Sequence, residues 1–263
     1  MATFTKNNLP SGLLPYSFKH VEMEPFKVNE IMKLSKARSL QSVAPMVDAL
    51  NDVVSCDAND LTDGDFYYLL AFQRLNAYTS SPMIVQWECE GIVFQEQSGL
   101  QRRFNNEQLK KLVEEYDNAS EERKEELEDP NELVVESVIC GEYNEQQVGF
   151  NDLIVQRLEE NQVIDERLDY PRIRTLPQGI AKSEDPELRH VIQAARWLKK
   201  GDNLDEKLEL LRNSDNLELF ETAYRTEMTV RHGVSNVVLK ECPKCGVLSK
   251  HVFDITPETF FDL

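Results

Sequence analysis

Apolar and polar positions alternate over residues 17–26, with Phe18, Val21 and Met23 as the apolar ones, and this predicts a short strand. The spacing then lengthens. Ile31, Met32 and Leu34 fall at helical intervals and are expected to be buried. Residues 40–54 repeat the pattern, with Pro45 near a helix start or a kink. The strongest helix signal covers residues 66–78. Their apolar surface is almost continuous, which places that helix at the centre of a core. Thr62-Asp63-Gly64-Asp65 stands just ahead and resembles a capping box with Asp in place of Glu.

Residues 83–94 read as a strand, a turn at Gly91 and a second strand. Residues 105–128 are rich in Glu and Lys, with Leu109, Leu112, Val113 and Tyr116 on one helical face. Beyond Asn118 the stripe fades into a solvated helix or hairpin that ends at Pro130. Strand chemistry returns at residues 134–140, a turn follows at 140–144, and Asn151 is placed to cap a helix over 152–160. Residues 170–186 are punctuated by proline and read as a crossover or boundary. Helices are predicted at 188–200, 204–212 and 217–232. Strands follow at 234–240 and 247–255, and Phe260-Phe261 forms an apolar plug near the end.

These elements predict a mainly α chain with small β-hairpins, an α+β fold. Residues 1–80 form a helical unit with a short leading strand. Residues 81–165 form a β-hairpin region with a charged helical insertion at about 105–130. Residues 166–263 form a helical segment that ends in a Cys-x-x-Cys hairpin and interleaves with the middle region.

Charge narrows the partners. Asp and Glu number 47 against 29 Lys and Arg, a formal net charge of −18. Such a chain is poorly suited to non-specific nucleic-acid binding, which cations drive by releasing counterions from phosphates. No apolar run reaches the roughly 20 residues of a membrane helix, so no membrane partner is expected. Residues 1–8 lack the apolar core of a signal peptide. With five Cys, an odd number, this points to a reducing cytosol, where paired Cys bind metal rather than form disulfides.

Cys242-Pro243-Lys244-Cys245-Gly246 is the most specific motif. Two thiolates at this spacing grip one zinc ion from a tight turn, and the glycine lets the backbone fold around them. A closed site needs two more ligands, and the candidates are Cys89, Cys140, His232, His251 and Cys56. Cys89 and Cys140 occupy strand-turn contexts, and Cys140-Gly141 copies the second half of a knuckle. If the charged segment is an insertion within a hairpin, the two come together as a split knuckle. The expected site is then four thiolates, Cys89, Cys140, Cys242 and Cys245, around a structural Zn2+. A site using His251 or His232 stays open. So does a set of five buried, small hydrophobic thiols, the reading that best fits Cys56. A thioredoxin-like redox pair would need a helix after the motif, and Gly246-Val247-Leu248 reads as strand instead.

Other chemistry is thin. There is no Gly-rich phosphate loop, nucleophile elbow or His-Glu-x-x-His motif. His190 and His232 fall on predicted helices, Asp63 and Asp65 serve the helix start, and Trp87 and Trp197 suit a core or interface. No enzymatic activity is expected.

The chain resembles the baseplate hub assembly proteins of T-even-type tailed bacteriophages. The segments that carry the resemblance are Leu9-Pro10-Ser11-Gly12, Phe26-Lys27-Val28-Asn29-Glu30 and Leu61-Thr62-Asp63-Gly64-Asp65-Phe66-Tyr67-Tyr68-Leu69-Leu70 with Arg74-Leu75. Cys89, Cys140-Gly141-Glu142-Tyr143-Asn144, His232-Gly233-Val234, the Cys242–Gly246 knuckle and Phe260-Phe261 extend it. The family's middle pattern is a compact Cys-x-x-Cys, whereas here Cys89 stands alone and Cys140 lies far downstream. The resemblance implies a factor that assists or joins the central hub of a contractile tail. Its partners would be baseplate hub proteins, and its location the host cytoplasm during assembly or the virion baseplate. Two other readings remain. One is a viral zinc-ribbon nucleic-acid adaptor using Lys240, Lys244, Lys250 and His251 with Arg225 and Arg231. The other is a thiol oxidoreductase.

Overall fold

The computed structural model describes residues 1–40, 42–77, 82–95, 101–104, 106–127, 136–176, 186–212 and 217–252. Phe260-Phe261, Ile255, Pro130 and Tyr78 lie outside them. The fold is mixed α+β, with eight α-helices and small antiparallel sheets among the described residues. Two compact units form. One combines residues 1–81 with 153–236, and the other combines 82–152 with 237–252.

In the first unit β1 (Ala2–Phe4) pairs with β2 (Val21–Met23), Phe4 opposite Val21. Helix α1 (Val28–Leu40) buries Glu30, Leu34 and Ala37, while Met32 is 58% exposed, contrary to expectation. Positions four and three apart share the inner face, and Met32 lies a half-turn away. Glu30 is buried because its carboxylate accepts the Lys27 N–H at 2.7 Å, satisfying a donor at the helix start. Pro45 sits in the first turn of α2 (Ala44–Asn51), where its missing N–H costs nothing, so it starts the helix rather than kinking it.

Helix α3 (Asp63–Ala77) is the core helix, with Phe66, Leu69, Leu70 and Ala71 fully buried. Phe4 packs edge-on against Tyr68 and Phe72. Thr62 caps the helix weakly, its Oγ1 3.4 Å from the Asp65 N–H. Asp65 does not complete a capping box. Its carboxylate is buried and instead accepts the Ser11 N–H at 3.0 Å and the Tyr16 hydroxyl at 2.6 Å, fastening the N-terminal segment to α3. A sequence window cannot show that the preferred partner lies some fifty residues back along the chain.

The remaining helices of this unit are α6 (Pro186–Arg196), α7 (Leu204–Arg212) and α8 (Leu217–Thr229). Trp197 and Leu198, just after α6, join Leu168, Tyr170, Ala194, Ala223 and Val230 in one cluster. Arg196 forms a two-pronged ion pair with Asp63, both N···O distances 2.6 Å. Helix α8 ends before His232, so that residue is not helical as expected. Its ring reaches the Thr62 hydroxyl at 2.7 Å, and its backbone passes so near Gly64 that a Cβ there would lie 2.5 Å from the His232 carbonyl oxygen.

The helix expected over 152–160 is absent. Residues 150–152 form a 3₁₀ turn, and Leu153–Gln156 is strand β8. Asp152 accepts the Gly149 N–H and closes the turn, and the β-branched run after it lies beside β9 (Gly233–Glu241). No helix among the described residues is long and apolar enough to cross a membrane.

Candidate metal centre

The second unit is a set of short ladders. Strand β3 (Ile84–Glu88) pairs with β7 (Tyr143–Gln147), and β4 (Ile92–Gln95) pairs with β6 (Glu136–Ile139) and β5 (Gln101–Phe104). Helices α4 (Asn106–Asp117) and α5 (Glu121–Lys124) belong to the charged insertion. Thus β3 and β4 do not form a hairpin with each other, and Tyr143 and Asn144, expected within a turn over 140–144, begin strand β7. Two chain segments run antiparallel past one another, and both change ladder at the same place, Cys89-Glu90-Gly91 opposite Cys140-Gly141-Glu142. Three backbone bonds hold that crossing: Cys89 N–H to Glu142 O at 2.9 Å, Cys140 N–H to Gly91 O at 2.8 Å and Gly141 N–H to Cys89 O at 3.1 Å. Gly141 has φ of 59°, the left-handed region that favours glycine.

The other two cysteines sit at the turn of the hairpin between β9 and β10 (Leu248–Val252). Cys242 N–H bonds Val247 O at 3.0 Å, Gly246 N–H bonds Cys242 O at 2.8 Å, and Gly246 has φ of 71°. Each half of the site therefore closes on a Cys-Gly step with a left-handed glycine.

The four sulfurs of Cys89, Cys140, Cys242 and Cys245 lie within 4.8 Å of one another. Cys89 Sγ is 3.4 Å from Cys245 Sγ, and Cys140 Sγ is 3.9 Å from Cys242 Sγ. A tetrahedral ion with metal–sulfur bonds of about 2.3 Å requires sulfur separations of about 3.8 Å. The donor set can therefore hold a metal ion with little movement. Cys89, Cys242 and Cys245 are fully buried, and Cys140 is half-buried.

Packing against Cys245 is close at Gly91. A Cβ on Gly91 would lie 2.9 Å from Cys245 Sγ and 3.0 Å from a Val247 methyl. The Gly91 N–H points at Cys89 Sγ at 3.4 Å, and the buried Asn144 side chain donates towards Cys242 Sγ at 3.7 Å. Burial pushes the Cys89 thiol up to about 12, with the neighbouring thiols adding to it against the Gly91 N–H, and burial also raises Cys245. Burial opposes ionisation of Cys242 too, but the Cys245 and Lys244 backbone N–H groups outweigh it and bring that thiol to about 7. Those N–H groups favour the Cys242 thiolate, and a bound cation would favour ionisation of all four sulfurs.

The histidines and the fifth cysteine are elsewhere. His251 lies in the same unit, but its ring packs on Trp87 at 4.5 Å and its Nε2 is buried without a partner. His232 belongs to the first unit with Thr62. Cys56 is half-buried there, its thiol pushed to about 11 by burial and by Asp57, Asp60 and Asp65. The basic residues beside the knuckle are partly engaged: Lys240 is buried and contacts Asp152 at 2.6 Å, and Lys244 contacts Glu142 at 2.9 Å. Sequence reasoning missed Asn144 and the packing role of Gly91, since nothing local to either residue points to a sulfur so far along the chain.

No family model, curated protein or solved structure matches the chain.

Proposed function

We propose that this chain is a non-enzymatic viral assembly protein acting by protein–protein contact at the hub of a contractile tail baseplate. A structural zinc ion on Cys89, Cys140, Cys242 and Cys245 forms a zinc-ribbon-like element that keeps its binding surface in shape. The observation that carries the structural part is the close approach of four sulfurs, three of them fully buried. Four thiolates fill a tetrahedral zinc and leave no position for water or substrate, so such a site stabilises a fold and does not catalyse. The hub assignment rests on the resemblance carried by residues 9–12, 26–30, 61–70, 74–75 and the Cys-Gly segments. The acidic balance adds support, because a chain of charge −18 is attracted to basic partner surfaces. The nucleic-acid adaptor reading gains nothing from Lys240 and Lys244, whose charges meet Asp152 and Glu142.

The test uses one purified sample. Elemental analysis should find one zinc per chain, and coprecipitation from infected cells should recover baseplate hub proteins. Cys242→Ser should lose both. Absence of zinc would overturn the structural centre, and absence of hub proteins from the parent precipitate would overturn the assembly role.

A further inference from the structure

Among the described residues strand β10 is the outermost strand of its sheet, in the order β8-β9-β10. Its register with β9 sets Leu248 opposite Glu241, Lys250 opposite Leu239 and Val252 opposite Val237. The Cys242 N–H donates to Val247 O, so that pair is hydrogen-bonded, and antiparallel ladders alternate. Ser249 and His251 therefore turn their backbone groups to β9, and Leu248, Lys250 and Val252 turn theirs to the free edge. Among the described residues no backbone bond meets that edge.

The side chains of the same three residues lie on the outer face. Leu248 is 57% exposed, Val252 66% and Leu239 of β9 46%. Lys250 stands between the aliphatics, exposed, and forms no ion pair among the described residues. The strand has no proline to block pairing. A free ladder edge, an apolar outer face and a single cation thus coincide on five residues.

We propose that β10 is a docking edge for an extended segment of a partner protein, which adds as a further strand. The segment carries apolar residues at alternate positions and a carboxylate opposite Lys250. Main-chain bonds would supply affinity, and the outer-face pairs would supply specificity. A second copy of this chain fits poorly. Antiparallel pairing of two β10 edges with aliphatic against aliphatic sets Lys250 against its own copy, and each chain already carries −18. This proposal deepens the protein-binding role proposed above and rests on that reading.

The experiment is selection from a displayed library of random peptides, about ten residues long to span a strand of ordinary length. The baits are the full zinc-loaded chain, a Leu248→Thr/Val252→Thr variant and a Lys250→Glu variant. Threonine keeps strand propensity and the positions are exposed, so fold and zinc content should be unchanged. Enriched peptides should alternate apolar residues around an Asp or Glu and bind the double-threonine variant about tenfold or more weakly, a loss of about 1.4 kcal/mol. Selection on Lys250→Glu should replace the acid with Lys or Arg. Peptides that bind the double variant equally well, or an acid that persists on Lys250→Glu, would overturn the proposal. So would a parent dimer that dissociates in the double variant. Hub coprecipitation by the double variant at parent level, with no peptide pattern, would defeat the edge and spare the assembly role. The peptide pattern without hub proteins would do the reverse.

Discussion

The two units solve the same problem with different means. The first holds most of the buried apolar side chains, including Phe66, Leu69, Leu70, Trp197 and Leu198, and adds the Asp63–Arg196 pair across them. The second has few among its described side chains. Trp87, Val148, Val238 and Val247 are the buried apolar ones there besides three cysteines, Asn144 and Lys240 are buried polar ones, and the strands expose Ile84, Ile139, Tyr143, Leu239, Leu248 and Val252. A unit with few buried apolar side chains offsets less of the entropy of ordering its chain. Small elements of that kind depend on a staple, and the four sulfurs sit where the two strand changes and the hairpin turn meet.

If the four sulfurs hold the proposed zinc ion, the comparison breaks most visibly when that ion is removed. Chelation, or Cys242→Ser, should abolish hydrogen-exchange protection over residues 84–95, 136–147 and 237–252 and leave that of α3, α6 and α8 intact. Structural zinc sites contribute on the order of 10 kcal/mol to folding, far more than these strands can replace. Gly91→Ala should act in the same direction and weaken zinc competition against a chromophoric chelator. A uniform loss across both units would show that the first unit also depends on the metal.

A smaller effect tests the other side. Asp63→Asn leaves the buried Arg196 without its counter-ion and should lower the urea stability of the first unit by about 2–3 kcal/mol, the lower end because the Asp63 side chain is 32% exposed. Zinc content should not change. If zinc is lost with it, the two units are coupled and the contrast fails.

The smallest effect is in pH. Burial holds the His232 imidazole below its usual 6.5, with Asp65 and Asp63 partly opposing and Arg172 reinforcing. The unfolded chain therefore binds this proton at higher pH than the folded one. The contribution of His232 is complete above 6.5 and is lost as pH falls from there towards the lowered folded value. In the second unit burial works against ionised Asp152, but the bonds from Lys240 and the Gly149 N–H outweigh it and hold the carboxyl below 3.8. That contribution persists until the pH drops below the unfolded carboxylate range. Denaturation of metal-loaded protein at pH 7.5 and 5.5 should show the first unit weakening, and His232→Gln should flatten the difference.

Much of the first unit was legible because its helices carry their own signals. The apolar run at residues 66–78 and the stripes at 188–200, 204–212 and 217–232 are local patterns, and the helices formed close to them. The failures occurred where a distant partner outbid a local one. Asp65 turned to Ser11 and Tyr16 instead of capping α3. Asp152 met Lys240, and the residues after it paired with β9 as β8. Strand β7 was missed because its inner positions, Asn144 and Gln146, are polar, so no apolar alternation marks it and it gains its identity from pairing with β3.

The sequence by itself determined which residues could grip a metal. Cys-x-x-Cys-Gly and Cys-Gly are chemical facts of spacing, and they put Cys89 and Cys140 forward while leaving His251 and His232 open. Only the tertiary structure decided that the sulfurs meet, because Cys89 and Cys140 are joined by ladder pairing across the whole charged insertion. The edge that β10 leaves unpaired among the described residues was also decided there, since an edge is defined by which strands lie beside it. Local periodicity records what a segment prefers, while long-range pairing depends on which other segments reach it.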